Sequence, residues 1–255
     1  MRKITINLAA VAAFCIVVAS PALVSSSCAT PKTEQEDTTI IREDSGITAL
    51  KYSSPEVPAS IEFCGKTIDL SRFDRHERMD RELLAFTYMH STSLQMLKKA
   101  NRYFPIVEPI LKENGIPDDF KYLMVIESNM NPTARSSAGA AGLWQFMQGT
   151  GRDYGLEVNN NVDERYHIEK ATRAACRYLK DAYAKYKDWV AVAASYNAGQ
   201  ARIASQLAKQ DVDDSLDLQL VEETARYVYR ILAAKQLFNA PTTFGFRLRA
   251  SDLYP

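Results

Sequence analysis

The sequence predicts a mainly α-helical protein with a single helical domain and a small β-hairpin near its N-terminus. Three observations predict this fold class. Apolar residues recur at helical spacing from residue 81 to about residue 239, β-like alternation is confined to one short segment, and the sequence contains no internal repeat. The chain has 255 residues, of which 46% are hydrophobic and 24% charged, so it can bury one core of ordinary globular composition.

The first 27 residues have the organisation of an export signal. Arg2 and Lys3 begin the chain, and residues 4–24 follow without a charge. A run of this kind is near the minimum for a membrane-spanning helix, about 20 residues. Because Asn7 and Pro21 interrupt it and three serines follow, we interpret residues 1–27 as a cleaved signal peptide. The protein is therefore expected to be exported.

Cys28 directly follows this signal, and the arrangement resembles a bacterial lipoprotein signal, in which the cysteine carries the lipid. That pattern prefers Leu where this chain has Ser25. Ordinary cleavage nearby, after Ala22 or Ala29, would instead leave a soluble protein. Residues 28–58 are rich in Thr, Ser, Glu, Asp and Pro, which predicts a flexible tether. A lipid on Cys28 would anchor the domain to a membrane at the end of that tether.

The globular part begins with a short N-terminal extension over residues 59–81. Its residues 61–70 show β-like alternation of apolar and polar side chains around Gly65, which predicts the β-hairpin. The helical domain is predicted over residues 82–242, and residues 243–255 are predicted to be a C-terminal tail.

The first long helical pattern covers residues 83–114. Pro105 and Pro109 predict a break or a kink within it, and Asn114-Gly115 predicts its end. The other predicted helices cover residues 117–127, 143–152, 163–187, 189–196 and 218–238.

Two function classes are disfavoured by simple counts. Lys plus Arg and Asp plus Glu both number 31, so the chain lacks the basic excess of a general nucleic-acid binder. No Cys/His spacing is typical of a metal site, and we expect neither metal nor cofactor. Cys176 lies on an apolar helical face, which favours a free buried thiol over a disulfide with Cys64, although pairing stays open. We expect a monomer.

Glu127 is the first candidate catalytic residue. It follows the apolar run 123–126 at the end of a predicted helix. An apolar setting raises a carboxyl pKa because it desolvates the charged form, and a protonated Glu can act as a general acid. A half-exposed Glu without function is the simpler interpretation when the residue is considered alone.

The segment after Glu127 changes that balance. Asn131-Pro132 is expected to end the helix, and small residues with two glycines follow. Gly142 then precedes a predicted helix that carries an aromatic pair, Trp144 and Phe146, with Gln145 between them. A tight polar loop between an acidic helix end and an aromatic helix suits a cleft for a polar ligand such as a sugar.

Three ordered motifs resemble the lytic transglycosylases with a goose-lysozyme-like (Slt-type) catalytic domain. The first runs from Glu127-Ser128 through Pro132 to the segment 136–145, which reads SSAGAAGLWQ. The second is Ser195-Tyr196-Asn197-Ala198-Gly199, and the third is Glu223-Thr224-Ala225-Arg226-Tyr227-Val228. The resemblance covers roughly residues 100–240 and is greatest to the membrane-bound D-type branch. Members of that branch often carry LysM repeats, and we expect none in residues 1–255. The resemblance implies an α+β lysozyme-like fold.

The resemblance also implies roles for single residues. Glu127 matches the family's single catalytic acid/base. Four groups of substrate-binding residues match the polar residues and tyrosines of its cleft: Ser136, Gln145, the pair Tyr196 and Asn197, and Tyr227. Four of these five residues have a structural alternative, since Ser136 can cap a turn, Asn197 can end a helix, and the two tyrosines can be core residues. Trp144 and Phe146 are expected in the core, and Tyr166, Tyr178, Tyr183 and Tyr186 are expected to serve packing.

The implied activity is cleavage of the β-1,4 bond between N-acetylmuramic acid and N-acetylglucosamine, with peptidoglycan glycan strands as the partner. A single Glu would act as acid and then base, giving a 1,6-anhydromuramyl end without water. Two alternatives stay open. A hydrolytic muramidase would need a second carboxylate, for which Asp153 and Glu157 are candidates, and a non-catalytic wall-binding protein would need none.

Overall fold

A computed structural model describes residues 54–255. The predicted signal peptide, Cys28 and residues 28–53 of the predicted tether lie outside the described residues. A short antiparallel hairpin comes first, with β1 at Ser60–Phe63 and β2 at Lys66–Asp69. Its register pairs Ile61 with Ile68, and both side chains face the core. The predicted hairpin is confirmed.

Helices build the rest of the described chain, which confirms the predicted fold class. They are α1 (Phe73–Tyr88), α2 (His90–Glu113), α3 (Phe120–Ser128), α4 (Gln148–Asp153), α5 (Ile168–Tyr186), α6 (Trp189–Ala198), α7 (Gln200–Lys209) and α8 (Glu222–Asn239). Short 3₁₀ turns lie at Glu164–Tyr166, Ser215–Asp217, Pro241–Phe244 and Ala250–Asp252. Within residues 54–255, none of these helices combines the length and apolar content needed to cross a bilayer.

The core is organised around α8, which packs against α1, α3 and α6. α6 is fully buried along most of its length, and its alanines Ala191, Ala193 and Ala194 let α5 and α8 approach it closely. The hairpin belongs to the same core, because Phe63 and Leu70 are fully buried in it. Cys176 is buried and free, as predicted, and Cys64 is also free.

The predicted break at the prolines of the first long helix is wrong. The helical conformation is interrupted at Met89, between α1 and α2. α2 then continues through Pro105 and Pro109. These two prolines are four residues apart and exposed, so they lie on one solvent-facing side of the helix. Water can solvate the carbonyls that lose their amide donor there, which explains why the helix continues.

The predicted helix over residues 143–152 is wrong over its first half. Its second half lies in α4, whereas residues 141–146 form a tight turn closed by a bridge between Ala141 and Phe146. Gln145 has a φ of 48°, which an α-helix excludes. α7 has no counterpart among the predicted helices. It begins directly after Gly199, the residue at which α6 ends.

Candidate active site

Glu127 lies in the last turn of α3. This helix is short and strongly apolar, and it buries Phe120, Leu123, Met124 and Val125 against α8 and α2. Asn129 adopts the left-handed conformation and ends the helix two residues after Glu127. The carboxyl is therefore presented half-buried at the edge of the core, on a rigid element.

The surroundings of Glu127 raise its pKa to about 7. Burial is the largest cause, because it removes water from the charged form. The Tyr227 hydroxyl and the positive charge of Arg230 act in the opposite direction, and the negative charge of Glu223 adds to the rise. A carboxyl with this pKa exchanges its proton near neutral pH, as a group that must both donate and accept a proton requires.

Two tyrosines flank this carboxyl. Tyr227 of α8 is buried and donates its hydroxyl to Oε1 of Glu127. Tyr196 of α6 donates its hydroxyl to the Trp144 carbonyl oxygen at 2.8 Å. Burial and the nearby charge of Glu127 hold the pKa of each phenol well above its ordinary value. Both hydroxyls therefore stay protonated and act as hydrogen-bond donors around neutral pH.

Asn197 joins the end of α6 to the start of α8. Its Oδ1 accepts a hydrogen bond from Thr224 Oγ1 at 2.8 Å, and its Nδ2 donates to Glu223 Oε1 at 3.5 Å. The side chain therefore holds together two of the motifs that the sequence singled out.

A cavity of about 290 Å³ opens beside Tyr196 and Asn197. Its other lining residues are Gln145, Phe146, Met147, Thr150, Tyr178, Ala198 and Gly199. A larger cavity of about 760 Å³ lies on α2 and the loop after it, and it contains none of the predicted site residues. The smaller cavity therefore brings together three of the predicted site residues, Gln145, Tyr196 and Asn197, whereas Glu127 and Tyr227 are not among its lining residues.

Gln145 and Ser136 both support the backbone of the loop between α3 and α4. Gln145 Nε2 donates to the carbonyl oxygens of Ala134 at 3.2 Å and Gly142 at 2.8 Å. Ser136 Oγ accepts from the Ala140 amide at 3.0 Å. Gln145 lines the cavity, whereas Ser136 is absent from its lining and sits in a turn, the position that its capping alternative predicts.

Arg165 fixes this loop and is not among the site residues predicted from the sequence. Its side chain is 4% exposed and pairs with Asp163 at 2.7 Å. Its Nη1 donates to the carbonyl oxygens of Gly139 at 2.8 Å and Phe146 at 2.9 Å. The guanidinium thus ties both ends of the segment 139–146 to the 3₁₀ turn before α5. The sequence signal that could have identified Arg165 is the acidic residue Asp163 two positions before it, a spacing that does not suit a helix.

Glu223 is the acidic residue whose charge acts on Glu127. The two carboxylates that the sequence offered as partners, Asp153 and Glu157, are both exposed and lie at the end of α4 and just beyond it. Glu157 is engaged with Asn159 at 2.8 Å. Within residues 54–255 no group of three or more His, Cys, Asp or Glu side chains is arranged to hold a metal ion.

The aromatic residues beside the site are packed into the core as expected, but Phe146 and Tyr178 also line the cavity. Trp144 and Phe146 are buried, and Trp144 Nε1 donates to Thr172 Oγ1 at 2.9 Å. Tyr178 packs its ring against Tyr196 at 5.1 Å and donates its hydroxyl to the Ser195 carbonyl oxygen at 2.9 Å. Tyr196 is therefore held from two sides, by its ring and by its hydroxyl.

Residues 105–217 match the family model described as Transglycosylase SLT domain. The chain is 30% identical over 181 residues to the membrane-bound lytic murein transglycosylase D of Escherichia coli, covering 69% of this chain and 39% of that protein. It is 29% identical over 150 residues to the membrane-bound lytic murein transglycosylase C of Haemophilus ducreyi, covering 53% of this chain and 40% of that protein. The chain thus spans about two fifths of the length of these relatives.

Two solved structures are similar over part of the chain. The 70 kDa soluble lytic transglycosylase of Escherichia coli has a TM-score of 0.48 and 18% identity, covering 69% of this chain and 32% of that one. The lytic transglycosylase Slt of Pseudomonas aeruginosa has a TM-score of 0.46 and 22% identity, covering 60% of this chain and 26% of that one.

Proposed function

Since the chain carries a transglycosylase SLT domain over residues 105–217, we propose that it is a peptidoglycan lytic transglycosylase. The observation that carries this proposal is Glu127, a half-buried carboxyl with a pKa of about 7 that accepts a hydrogen bond from Tyr227. Its substrate would be the β-1,4 bond between N-acetylmuramic acid and N-acetylglucosamine. The similarity to two lytic murein transglycosylases supports this substrate class.

The proposed reaction uses one protein carboxyl twice. Protonated Glu127 gives its proton to the glycosidic oxygen as the bond from that oxygen to C1 of the muramyl sugar breaks. The neighbouring N-acetyl group, or an oxocarbenium ion, carries the positive charge at C1. The C6 hydroxyl of the same sugar then bonds to C1, and its proton returns to Glu127. The product is a 1,6-anhydromuramyl end, and no water is consumed.

The surrounding side chains have supporting roles in this scheme. Tyr227 holds one carboxyl oxygen of Glu127, and its hydrogen bond becomes stronger when the carboxylate forms after the first proton transfer. Tyr196, Asn197 and Gln145 line the adjoining cavity, where we place the sugars. Ser136 supports this surface through the loop.

We place the protein in the cell envelope, where peptidoglycan lies. The two relatives named above are described as membrane-bound. A signal peptide over residues 1–27 and a lipid on Cys28 would deliver the domain there and tether it. We also propose that it acts as a monomer, since the residues of the proposed scheme come from one chain.

The substitution Glu127→Gln tests the role of the carboxyl. It keeps the size and hydrogen-bonding capacity of the side chain but cannot transfer the proton, so we expect it to lower the rate about a hundredfold to ten-thousandfold without unfolding. The measurement is release of anhydromuropeptides from purified sacculi, with Glu157→Gln as the matched control that keeps full activity. Substantial cleavage by the Glu127 variant would refute the proposed role.

A hydrolytic muramidase is the second candidate function. The observation that favours it is a second carboxylate, that of Glu223, whose charge acts on Glu127. This carboxylate accepts a hydrogen bond from Asn197, which lines the cavity, and its negative charge raises the pKa of Glu127, so we take it as the carboxylate that would activate a water molecule. Hydrolytic products are heavier by one water than anhydro products, and mass spectrometry separates them. If purified protein bound sacculi without reducing their turbidity, the remaining alternative, a wall-binding protein, would be favoured.

A further inference from the structure

One face of α8 carries three polar residues in sequence, Glu223, Tyr227 and Arg230. Their spacing of four and then three residues puts them on the same side of the helix. Glu223 contacts Asn197, and Tyr227 contacts Glu127. Arg230 is the next residue along this stripe, and its side chain is 45% exposed. Arg230 lies about one helical turn beyond Tyr227, whose hydroxyl binds Glu127, and its positive charge lowers the pKa of that carboxyl.

Glu82 of α1 is the carboxylate that pairs with this arginine. Its side chain is only 2% exposed, and the proposed reaction does not use it. One of its oxygens accepts from Arg226 Nε at 2.6 Å, and the other lies 3.8 Å from Arg230 Nε. A buried carboxylate is costly unless it is paired, which explains why both arginines of α8 approach it.

The charges on this part of α8 cancel in number but are separated along the helix. One carboxylate, Glu82, faces two guanidinium groups, those of Arg226 and Arg230. The nearby Glu222 pairs with Arg81 of α1. Glu223, which is also negative, lies seven residues before Arg230 on the stripe, so Glu127 has an acidic neighbour on one side and a basic neighbour on the other.

We propose that Arg230, positioned by Glu82, binds a carboxylate of the glycan strand next to the bond that is cleaved. This inference rests on the proposed function. Peptidoglycan offers such a group in two places, the lactyl carboxyl of muramic acid where no peptide is attached, and the free carboxyls of the stem peptide. A guanidinium recognises either through paired N–H donors. Glu223 repels the same group, so the two residues together would fix the direction in which the strand lies.

The test compares wild-type protein and Arg230→Gln on three substrates. They are peptide-bearing glycan, glycan stripped of its peptides by an amidase, and stripped glycan whose carboxyls have been converted to methyl amides. Release of anhydromuropeptides is measured as a function of substrate concentration at about pH 5.5, where Glu127 stays protonated in both proteins. Arg173→Gln is the matched control, because it also removes one exposed arginine from a single ion pair, with Glu113.

We expect Arg230→Gln to raise KM about tenfold on a carboxylate-bearing substrate with little change in kcat, and to leave KM for the methyl amide unchanged. An effect confined to stripped glycan identifies the lactyl carboxyl, and one confined to peptide-bearing glycan identifies the stem peptide. Equal KM values for both proteins on all substrates, or an equal rise on the methyl amide, would overturn the proposal. In that event the anhydro products of the wild type still support the proposed function separately.

Two further variants separate binding from a purely structural role. Arg230→Lys keeps the charge but loses the planar pair of donors, so its KM should lie between those of the wild type and Arg230→Gln. Glu82→Gln frees Arg230 and should raise KM in the same substrate-dependent way, by a smaller factor. If Glu82→Gln lowered kcat equally on all three substrates and Arg230→Lys gave no recovery, the positioning role would be refuted.

Discussion

Glu127 combines a hydrogen bond that favours its charged form with burial that opposes it, and burial dominates. The Tyr227 hydroxyl and the charge of Arg230 both lower the pKa of Glu127, yet the net value is about 7. The residue is therefore protonated in the resting protein below neutral pH, and the proton can leave once the substrate arrives.

The pH dependence of the reaction follows from this pKa. Because Glu127 must begin protonated, we expect kcat/KM to be level at acidic pH and to fall as pH rises through about 7. A pH–rate profile on soluble glycan strands is the measurement. A decline centred near the ordinary value of a Glu, 4.5, would contradict the account.

The free energy of unfolding should also depend on pH through Glu127. The folded-state pKa lies above the ordinary value, so the protonated form favours folding, and this contribution is lost as pH rises through about 7. Glu127→Gln removes the charge that forms there. We expect it to be more stable than wild type above pH 7, by on the order of 1–2 kcal/mol, with little difference well below the ordinary pKa of Glu. Urea unfolding of both proteins at an acidic and an alkaline pH measures this, and a variant less stable than the wild type at the alkaline pH would contradict the prediction.

Two tyrosines on α8 provide a matched comparison for the role of Tyr227. Tyr227→Phe removes the hydroxyl that holds Glu127, so kcat should fall about tenfold or more and the alkaline limb of the pH profile should move to higher pH. Tyr229 is also buried, and its hydroxyl has no hydrogen-bond partner within residues 54–255. Tyr229→Phe should therefore leave kinetics unchanged. Similar kinetic losses in both variants would show that the loss comes from disturbed packing of α8, and would contradict a specific role for the Tyr227 hydroxyl.

At the scale of elements, the loop between α3 and α4 contains two glycines with a positive φ. Gly142 has a φ of 79°, and a Cβ there would lie 1.9 Å from the carbonyl oxygen of Arg165. Gly139 has a φ of 90° but open space around its Cβ position. The two glycines therefore share a backbone constraint but differ in how closely another segment approaches.

The substitutions Gly142→Ala and Gly139→Ala separate these two effects. Gly139→Ala should cost about 1 kcal/mol of stability through its backbone conformation alone. Gly142→Ala adds a clash with rigid backbone and should cost several times more, on the order of 3–5 kcal/mol, with loss of activity as the loop moves. Denaturant unfolding of both variants is the measurement, and equal costs would refute the contact between the loop and Arg165.

The same loop shows why some elements could be predicted from the sequence and others could not. α5 and α8 have long periodic patterns, and the predicted helices match their C-terminal ends to within one residue but begin five and four residues too early. The segment 143–147 has apolar residues at spacings that also suit a helix. Its turn depends on Gln145 at a φ of 48° and on carbonyl contacts with Arg165, which lies 20 residues later. Local periodicity does not contain that information.

At the scale of the whole molecule, the candidate site is assembled from distant parts of the sequence. Glu127 and Tyr227 are 100 residues apart, and Glu82 and Arg226 are 144 apart. The motifs of a known family pointed to Glu127, Tyr196, Asn197 and Tyr227, and the fold brings these four together. Glu82, Arg165 and Arg230 belong to none of the active-site roles that the resemblance implied, and their partners are defined only by tertiary packing.

The extension and the tail are parts of the same packed unit in the described chain. In the hairpin, the Cys64 amide donates to Asp119 Oδ2 at 2.7 Å, beside the start of α3. Lys235 of α8 pairs with the same Asp119 at 2.7 Å. At the other end, Tyr254 donates its amide to the Lys98 carbonyl oxygen of α2 at 3.0 Å. The hairpin therefore supports the two helices that carry Glu127 and Tyr227.

The central claim is that one chain cleaves glycan strands with one carboxyl and without water, and cleavage in water enriched in ¹⁸O tests it most directly. Purified protein digests sacculi in this solvent, and mass spectrometry examines the released muropeptides. We expect every new muramyl end to have the anhydro mass and to carry no ¹⁸O, because the C6 hydroxyl supplies the oxygen. Products that contain one ¹⁸O at the new reducing end would contradict the account and identify a hydrolase.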